Sequence, residues 1–257
     1  MNKAIVVLTR GYDNIEDYNS LINRNIFIEE HLDDKSTDIL IFHEGNITVD
    51  QQSYIKSFSP ELRIIFIDIK IDNKAFLESK KNCEFKVGLN WFNLGYRHMC
   101  HFWFVDFWHF CNDYDYILRI DEDCEIYFDV ADIFNLLQDK IAVYGGYDVD
   151  SEGVTVGLND FTIDFLKKNV ENIDHIHSKP SGPFTNLMGF NLKMLRENHN
   201  VIKYIEEIDK SDNIYIYRWG DGPLWGEILK YLYTDDMQVL TKDIKYLHGS
   251  HNNMINI

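Results

Sequence analysis

The feature that most constrains this chain is a β-rich run that stops abruptly in three carboxylates. Tyr116 to Ile120 is dense in β-forming residues, the pattern of a strand buried on both faces. Asp121, Glu122 and Asp123 follow directly, and a second short β-rich piece runs from Glu125 to Phe128. Open α/β sheets bind ligands where their strands reach their carboxyl ends. On an extended backbone Asp121 and Asp123 point to the same side. At an effective dielectric of ~20 and ~4 Å separation, two such charges repel by about 4 kcal/mol. A divalent cation removes that penalty, and oxygen ligands suit magnesium, manganese or calcium. The same triplet also serves as an acidic turn that caps a strand and faces water, and spacing alone does not choose between the two.

The rest of the chain surrounds that strand with βαβ units. Ala4 to Leu8, Asp38 to Phe42 and Leu62 to Ile69 read as further strands. Asp17 to Leu32, Gln51 to Phe58 and a long aromatic segment from Leu89 to Phe110 read as helices. Such alternation predicts an α/β fold with a mostly parallel, Rossmann-like sheet and helices on both faces. Beyond the triplet, strands are expected at Ile141 to Tyr144, Phe184 to Phe190, Tyr215 to Tyr217 and Ile244 to Leu247. Helices are expected at Asp132 to Leu137, Asn159 to Asn169, Leu192 to Asn198, Val201 to Ile208 and Leu224 to Tyr233, with a loop from Asp174 to Pro183. Neither repeat nor linker interrupts the pattern. One domain over residues 1–257 is the economical reading, with a nucleotide-binding half (1–130) and an acceptor-binding half (131–257).

Composition narrows the partners. A chain that is 45% hydrophobic and 14% aromatic folds into a globule. A net charge of −17 argues against nucleic acid or an anionic membrane as the main partner. It also means that a phosphorylated ligand needs a metal or a focused basic patch to hold it. Ala4 to Leu8 is too short for a secretory core or a membrane span. Cys83, Cys100, Cys111 and Cys124 show no CxxC spacing. A cytoplasmic protein with reduced thiols is therefore expected. Nucleotide-binding GxGxxG, P-loop and GxSxG motifs are absent from the sequence, which disfavours dehydrogenase, NTPase and α/β-hydrolase chemistry.

Three further segments carry chemistry-bearing residues. Gly95 to Cys100 holds Tyr96 and Arg97, and the planar guanidinium fork suits a phosphate. The same spacing fits a buried stripe of Tyr96, Met99 and Trp103 with Arg97 as a surface charge. Tyr217 to Pro223 packs Trp219, Gly220, Asp221 and Gly222 into a turn before a helix. Asp221 there is either an acceptor-hydroxyl contact or base, or only an anion on the helix dipole. Tyr246 to His251 places His248 just past a strand end, as a nitrogen ligand for the metal or as part of a solvated tail.

Taken in order, these blocks resemble the fungal GDP-mannose-dependent α-1,2-mannosyltransferases, glycosyltransferase family 15. The family's YRxMC corresponds to Tyr96-Arg97-His98-Met99-Cys100, and its YxYYWRVEPD to Tyr114 through Asp123. Its KFYCD-like strand corresponds to Glu125 through Asp129, its RWGDAP to Arg218 through Pro223, and its DIGYxH to Asp243 through His248. The likeness covers about residues 96 to 250, with a shorter middle region and only a loose match at the N-terminal strand. It implies a GT-A fold, a nucleotide-sugar donor (GDP-mannose, or a UDP-hexose), a glycan or other hydroxyl acceptor, and Mn²⁺ (or Mg²⁺). Carried over, Asp121, Asp123 and His248 would hold the metal, Thr9 and Arg10 would face the nucleoside, and Tyr96 and Arg97 would lie near the diphosphate. Trp219, Gly220 and Asp221 would meet the acceptor, with Asp221 catalytic.

One departure matters. In the family's SNFEIGDL segment a glutamate is proposed as nucleophile, and the gapless match puts Met188 there. A thioether does no carboxylate chemistry, so retention would proceed by front-face attack, the departing phosphate taking the acceptor's proton. A donor-binding protein that has lost turnover is the alternative. The family's usual secretory anchor is also without a counterpart in the sequence.

Overall fold

The computed structural model describes residues 2–69, 83–90, 92–170, 177–241, 244–249 and 254–256. The first apolar run forms β1 (Lys3–Leu8). Its side chains alternate between two apolar clusters, Ala4 and Val6 on one face and Ile5 and Val7 on the other, as a strand covered on both sides must. Then come α1 (Asn19–Glu30), β2 (Asp38–His43), α2 (Val49–Ser57) and β3 (Arg63–Asp68). A capping box between Thr48 and Gln51 starts α2.

The aromatic segment is a helix that begins later than the sequence predicts. The Asn93 side chain accepts the Tyr96 amide and so sets the start of α3 (Leu94–His101); Trp91 lies outside the described residues. A π-helical turn, Phe102–Asp106, continues into α4 (Phe107–Phe110). Trp103, Phe107, Trp108, Phe190 and Trp225 then form a chain of rings with centroids 4.8–6.1 Å apart. Each buried ring contributes roughly 3 kcal/mol, and together they give a stiff backing to the central strand.

That strand, β4 (Tyr116–Ile120), is buried along its whole length. β5 (Cys124–Ile126), α5 (Val130–Leu136), β6 (Ala142–Tyr144), β7 (Tyr147–Val149) and α6 (Leu158–Asn169) follow. After β8 (Ser181–Pro183) and β9 (Leu187–Asn191) come α7 (Leu192–Glu197), α8 (His199–Ser211), α9 (Asn213–Tyr217) and α10 (Asp221–Leu232). β10 (Gln238–Leu240), β11 (Lys245–His248) and β12 (Met254–Asn256) complete the described elements.

The main sheet runs β10-β6-β9-β4-β1-β2-β3. β1 is parallel to β2 and β4, β2 to β3, and β6 to β10, while β9 alone is antiparallel to its neighbours. Strands from both sides of residue 130 thus share one sheet. The expected α/β, mostly parallel architecture is what forms.

Three expectations differ. Tyr215 to Tyr217 is helical, not a strand. Its Tyr-Ile-Tyr alternation favours β, yet Asp212 turns left-handed (φ 58°) and its carbonyl accepts the Tyr215 amide at 2.8 Å, starting a helical turn. Pro183 and its two predecessors, read as loop, pair with β7 as a hairpin-like ribbon; residues 171–176 of that loop lie outside the described residues. β10, too short to stand out in the sequence, extends the sheet beside β6.

Candidate active site

A second, smaller sheet explains why the acidic turn and the distant histidine meet. β11 pairs antiparallel with β5 in the register Tyr246↔Ile126, Leu247↔Glu125, His248↔Cys124. Gly249 then donates its amide to the Asp123 carbonyl at 2.9 Å. A Cβ on Gly249 would sit 3.2 Å from both Cβ and Oδ2 of Asp123, so the close approach calls for glycine there. The result is His248 Nε2 at 3.2 Å from Asp123 Oδ1. His251 and Asp243 lie outside the described residues.

Asp123, Cys124 and His248 offer ligand atoms within 4.8 Å of one another. A carboxylate oxygen and an imidazole nitrogen suit manganese or magnesium. The buried Cys124 thiol suits them less: it is a soft ligand, and burial, with Asp121 and Asp123 adding to it, holds its pKa well above the usual value. It points instead at the Asn186 carbonyl, 3.6 Å away.

Asp121 has a different partner. Arg119 Nε donates to its Oδ1 at 2.8 Å and Nη2 to its Oδ2 at 3.1 Å. The third corner of the guanidinium, Nη1, donates to Asp221 Oδ2 at 2.6 Å. Arg119 is buried, and its guanidinium lies 4.3 Å from the Trp103 ring centre. Burial opposes its charge, but the two carboxylates outweigh this and push its pKa upward. One cation therefore ties the metal turn to the start of α10. In this structure both carboxylate oxygens of Asp121 face Arg119, and the Asp123–His248 pair stands without it.

Arg119, Asp121, Asp221 and His248 line one cleft of about 700 Å³ at the carboxyl end of β4, walled by Tyr96, Asp148, Asp150, Phe184, Asn186 and Gly220 among others. The Tyr96 hydroxyl accepts from Arg218 Nη2 at 2.6 Å, and Arg218 Nη1 donates to Asp150 Oδ2 at 2.9 Å. Arg218 adopts φ 61°, a left-handed conformation that costs a non-glycine residue of order 1 kcal/mol or more. Its guanidinium stacks 4.1 Å from the Phe92 ring centre, which holds it there. Asp150 carries no motif that would single it out in the sequence.

Other predicted site residues lie elsewhere. Arg97 is buried, with its guanidinium donating to the backbone carbonyls of Phe92, Val87 and Tyr215. It clamps α3 to α9 and is not placed to reach a diphosphate. Trp219 is 1% exposed; its Nε1 donates to the Val156 carbonyl at 2.9 Å and its ring meets Phe161 and Tyr217. It belongs to the core. Thr9 and Arg10 stand at the carboxyl end of β1, where Thr9 donates to Glu122. Met188 is fully buried opposite Arg119 on β9, so no carboxylate occupies that register.

No family model matches the chain. It is 28% identical over 196 residues to glycolipid 2-alpha-mannosyltransferase 2 of Candida albicans, covering 70% of this chain and 42% of that protein. The chain thus spans about two fifths of its curated relative. In structure it matches the mannosyltransferase Ktr4p of S. cerevisiae at TM-score 0.73 and 21% identity, covering 96% of this chain and 70% of the other. Core-mannan synthase A of Aspergillus fumigatus, solved in a Mn/GDP form, matches at TM-score 0.76 and 16% identity over 96% and 74%. The fold is the GT-A fold of glycosyltransferases, and in sequence the chain is similar to a glycolipid 2-alpha-mannosyltransferase of Candida albicans.

Proposed function

We propose that the chain is a metal-dependent glycosyltransferase that moves a hexose, mannose from GDP-mannose, to a hydroxyl of a glycan acceptor with retention. The observation that carries this is the 3.2 Å approach of His248 to Asp123 beside a cleft of about 700 Å³ at the sheet's ligand end. The names of its relatives support the donor and the sugar. Asp123 and His248 are the residues that would hold Mn²⁺ (or Mg²⁺). When bound, the ion supplies Lewis-acid stabilisation of the leaving diphosphate.

The chain's own groups divide the remaining work. Thr9 and Arg10 face the nucleoside side, at the end of β1. Tyr96, Gly220 and Asp221 form the acceptor side. Asp221 Oδ2 is engaged by Arg119, which leaves Oδ1 to receive the acceptor hydroxyl and orient its oxygen. With Met188 in the core, the bond from the anomeric carbon to phosphate breaks as the acceptor oxygen bonds the same face. The acceptor's proton passes to the departing phosphate oxygen. A cytoplasmic setting would keep the four cysteines, which form no disulfide, reduced.

Incubation with a panel of GDP- and UDP-sugars, Mn²⁺ and simple mannosides tests this, reading nucleotide release and binding. Transfer from GDP-mannose is expected. Binding of no nucleotide sugar would end the reading, and binding without transfer or hydrolysis would favour the donor-binding alternative that Met188 motivates.

A further inference from the structure

The middle residue of the acidic triplet is used differently from its neighbours. Glu122 Oε2 accepts from Thr9 Oγ1 at 2.5 Å, and Oε1 accepts from Tyr12 Oη at 2.7 Å. Both donors belong to the loop that follows β1. The same loop is held on its other sides by Gly11 N donating to Asn46 Oδ1 at 3.0 Å and Gln51 Nε2 donating to the Tyr12 carbonyl at 3.0 Å. Tyr12 N also donates to the hydroxyl of buried Tyr18 at 2.9 Å. Glu122 is therefore the link between this loop and the metal turn.

Arg10 sits in the middle of the loop, exposed, with its guanidinium 5.0 Å from the Tyr12 ring centre. Its guanidinium also hydrogen-bonds the side chain of Tyr12, the same residue whose hydroxyl donates to Glu122. In a chain of net charge −17 a diphosphate needs a cation brought to it. We propose that Glu122 is a positioning residue: it fastens the β1 loop to the metal turn and so holds Arg10 in place for the nucleotide donor. This rests on the donor reading above.

The test compares Glu122→Ala, Glu122→Gln, Tyr12→Phe and Arg10→Ala in the full chain. GDP affinity in Mn²⁺ is read by calorimetry, Mn²⁺ affinity alone by electron paramagnetic resonance, and loop opening by the rate of tryptic cleavage after Arg10. Glu122→Ala and Arg10→Ala are each expected to weaken GDP binding about tenfold with Mn²⁺ affinity within twofold. Glu122→Gln, which keeps a carbonyl acceptor for one hydroxyl and offers an N–H to the oxygen of the other, recovers most of the loss. Tyr12→Phe weakens GDP binding alone but adds nothing to Glu122→Ala, and Glu122→Ala speeds cleavage after Arg10. Unchanged GDP affinity in Glu122→Ala, or additive effects of the pair, overturns the proposal while leaving the donor reading intact. A wild-type chain that binds Mn²⁺ but no nucleotide, with cleavage still faster in Glu122→Ala, overturns the donor reading and this proposal with it.

Discussion

Replacing Arg119 by methionine tests the cleft's electrostatic design most directly. The guanidinium is buried, and it makes three hydrogen bonds of 2.6–3.1 Å to two carboxylates. Methionine keeps the contact with Trp103 but removes every donor. The side chain of Asp221 is 7% exposed and that of Asp121 27%, so Asp221 loses its partner with little water to replace it. Removing one member of a buried pair costs about 3–5 kcal/mol. The exposure of Asp121 argues for the lower end, about 3 kcal/mol, or a fall in melting temperature of about 6 °C for a chain this long. Urea unfolding at neutral pH measures it, alongside Asp221→Asn and the double variant. Adding Asp221→Asn to Arg119→Met is expected to restore at least about 1 kcal/mol, because the stranded carboxylate is gone. A loss under about 1 kcal/mol in Arg119→Met, or strict additivity, would refute the reasoning that one buried cation balances both aspartates.

Other expectations follow from the same geometry. Asp123→Ala and His248→Ala should each abolish or strongly weaken Mn²⁺ binding measured by electron paramagnetic resonance, whereas Cys124→Ser should keep it. Gly249→Ala, whose new Cβ meets Asp123 at 3.2 Å, should weaken Mn²⁺ binding severalfold with little change in unfolding midpoint. Gly226→Ala puts a Cβ 1.7 Å from the Ser181 carbonyl oxygen; α10 must then move off β8, and urea unfolding should show a loss of about 3 kcal/mol or more. His101 lies between Asp106 and Asp209 at 2.9 Å each; burial opposes its charge, but these bonds hold its pKa above the usual value. A raised folded-state pKa means its contribution is full below about pH 6.5 and is lost as pH rises through the folded value. The stability gap between wild type and His101→Gln should therefore be wider at pH 5.5 than at pH 8.5. Neighbouring His98 has the opposite sign: burial lowers its pKa to about 4, so its contribution is full above about pH 6.5 and fades towards pH 4.

The buried strands were legible because they rest on local pattern, whereas the meeting of His248 with Asp123 was open on spacing and came only as what the family resemblance implies. Buried runs such as Ala4 to Leu8 and Tyr116 to Ile120 declare themselves by composition, and ligands gather where such strands end. What the sequence withheld depends on neighbours far along the chain. Arg97 and Arg119 look alike on the page, one before an aromatic stretch and one before an acidic triplet. Only the packing of α9 turns the first into a clamp for backbone carbonyls, and only Asp221 makes the second a bridge. Asp121 and Asp123 share a face on an extended backbone, yet Arg119 claims the former. Trp219 is expected at the acceptor beside Gly220, but Phe161 and Val156 draw it inward. The three-residue strands β7, β8 and β10 carry too few side chains for periodicity to register.

The β5–β11 pairing also sets a timetable. During synthesis at ~5–20 residues per second, the carboxylate of Asp123 leaves the ribosome on the order of ten seconds before the imidazole of His248. The main sheet's ordering from β3 to β10 needs no residue past Leu240. A nascent or clipped chain can thus hold a nearly complete scaffold while still unable to chelate. Metal affinity then reports arrival of the distal strand separately from folding of the body.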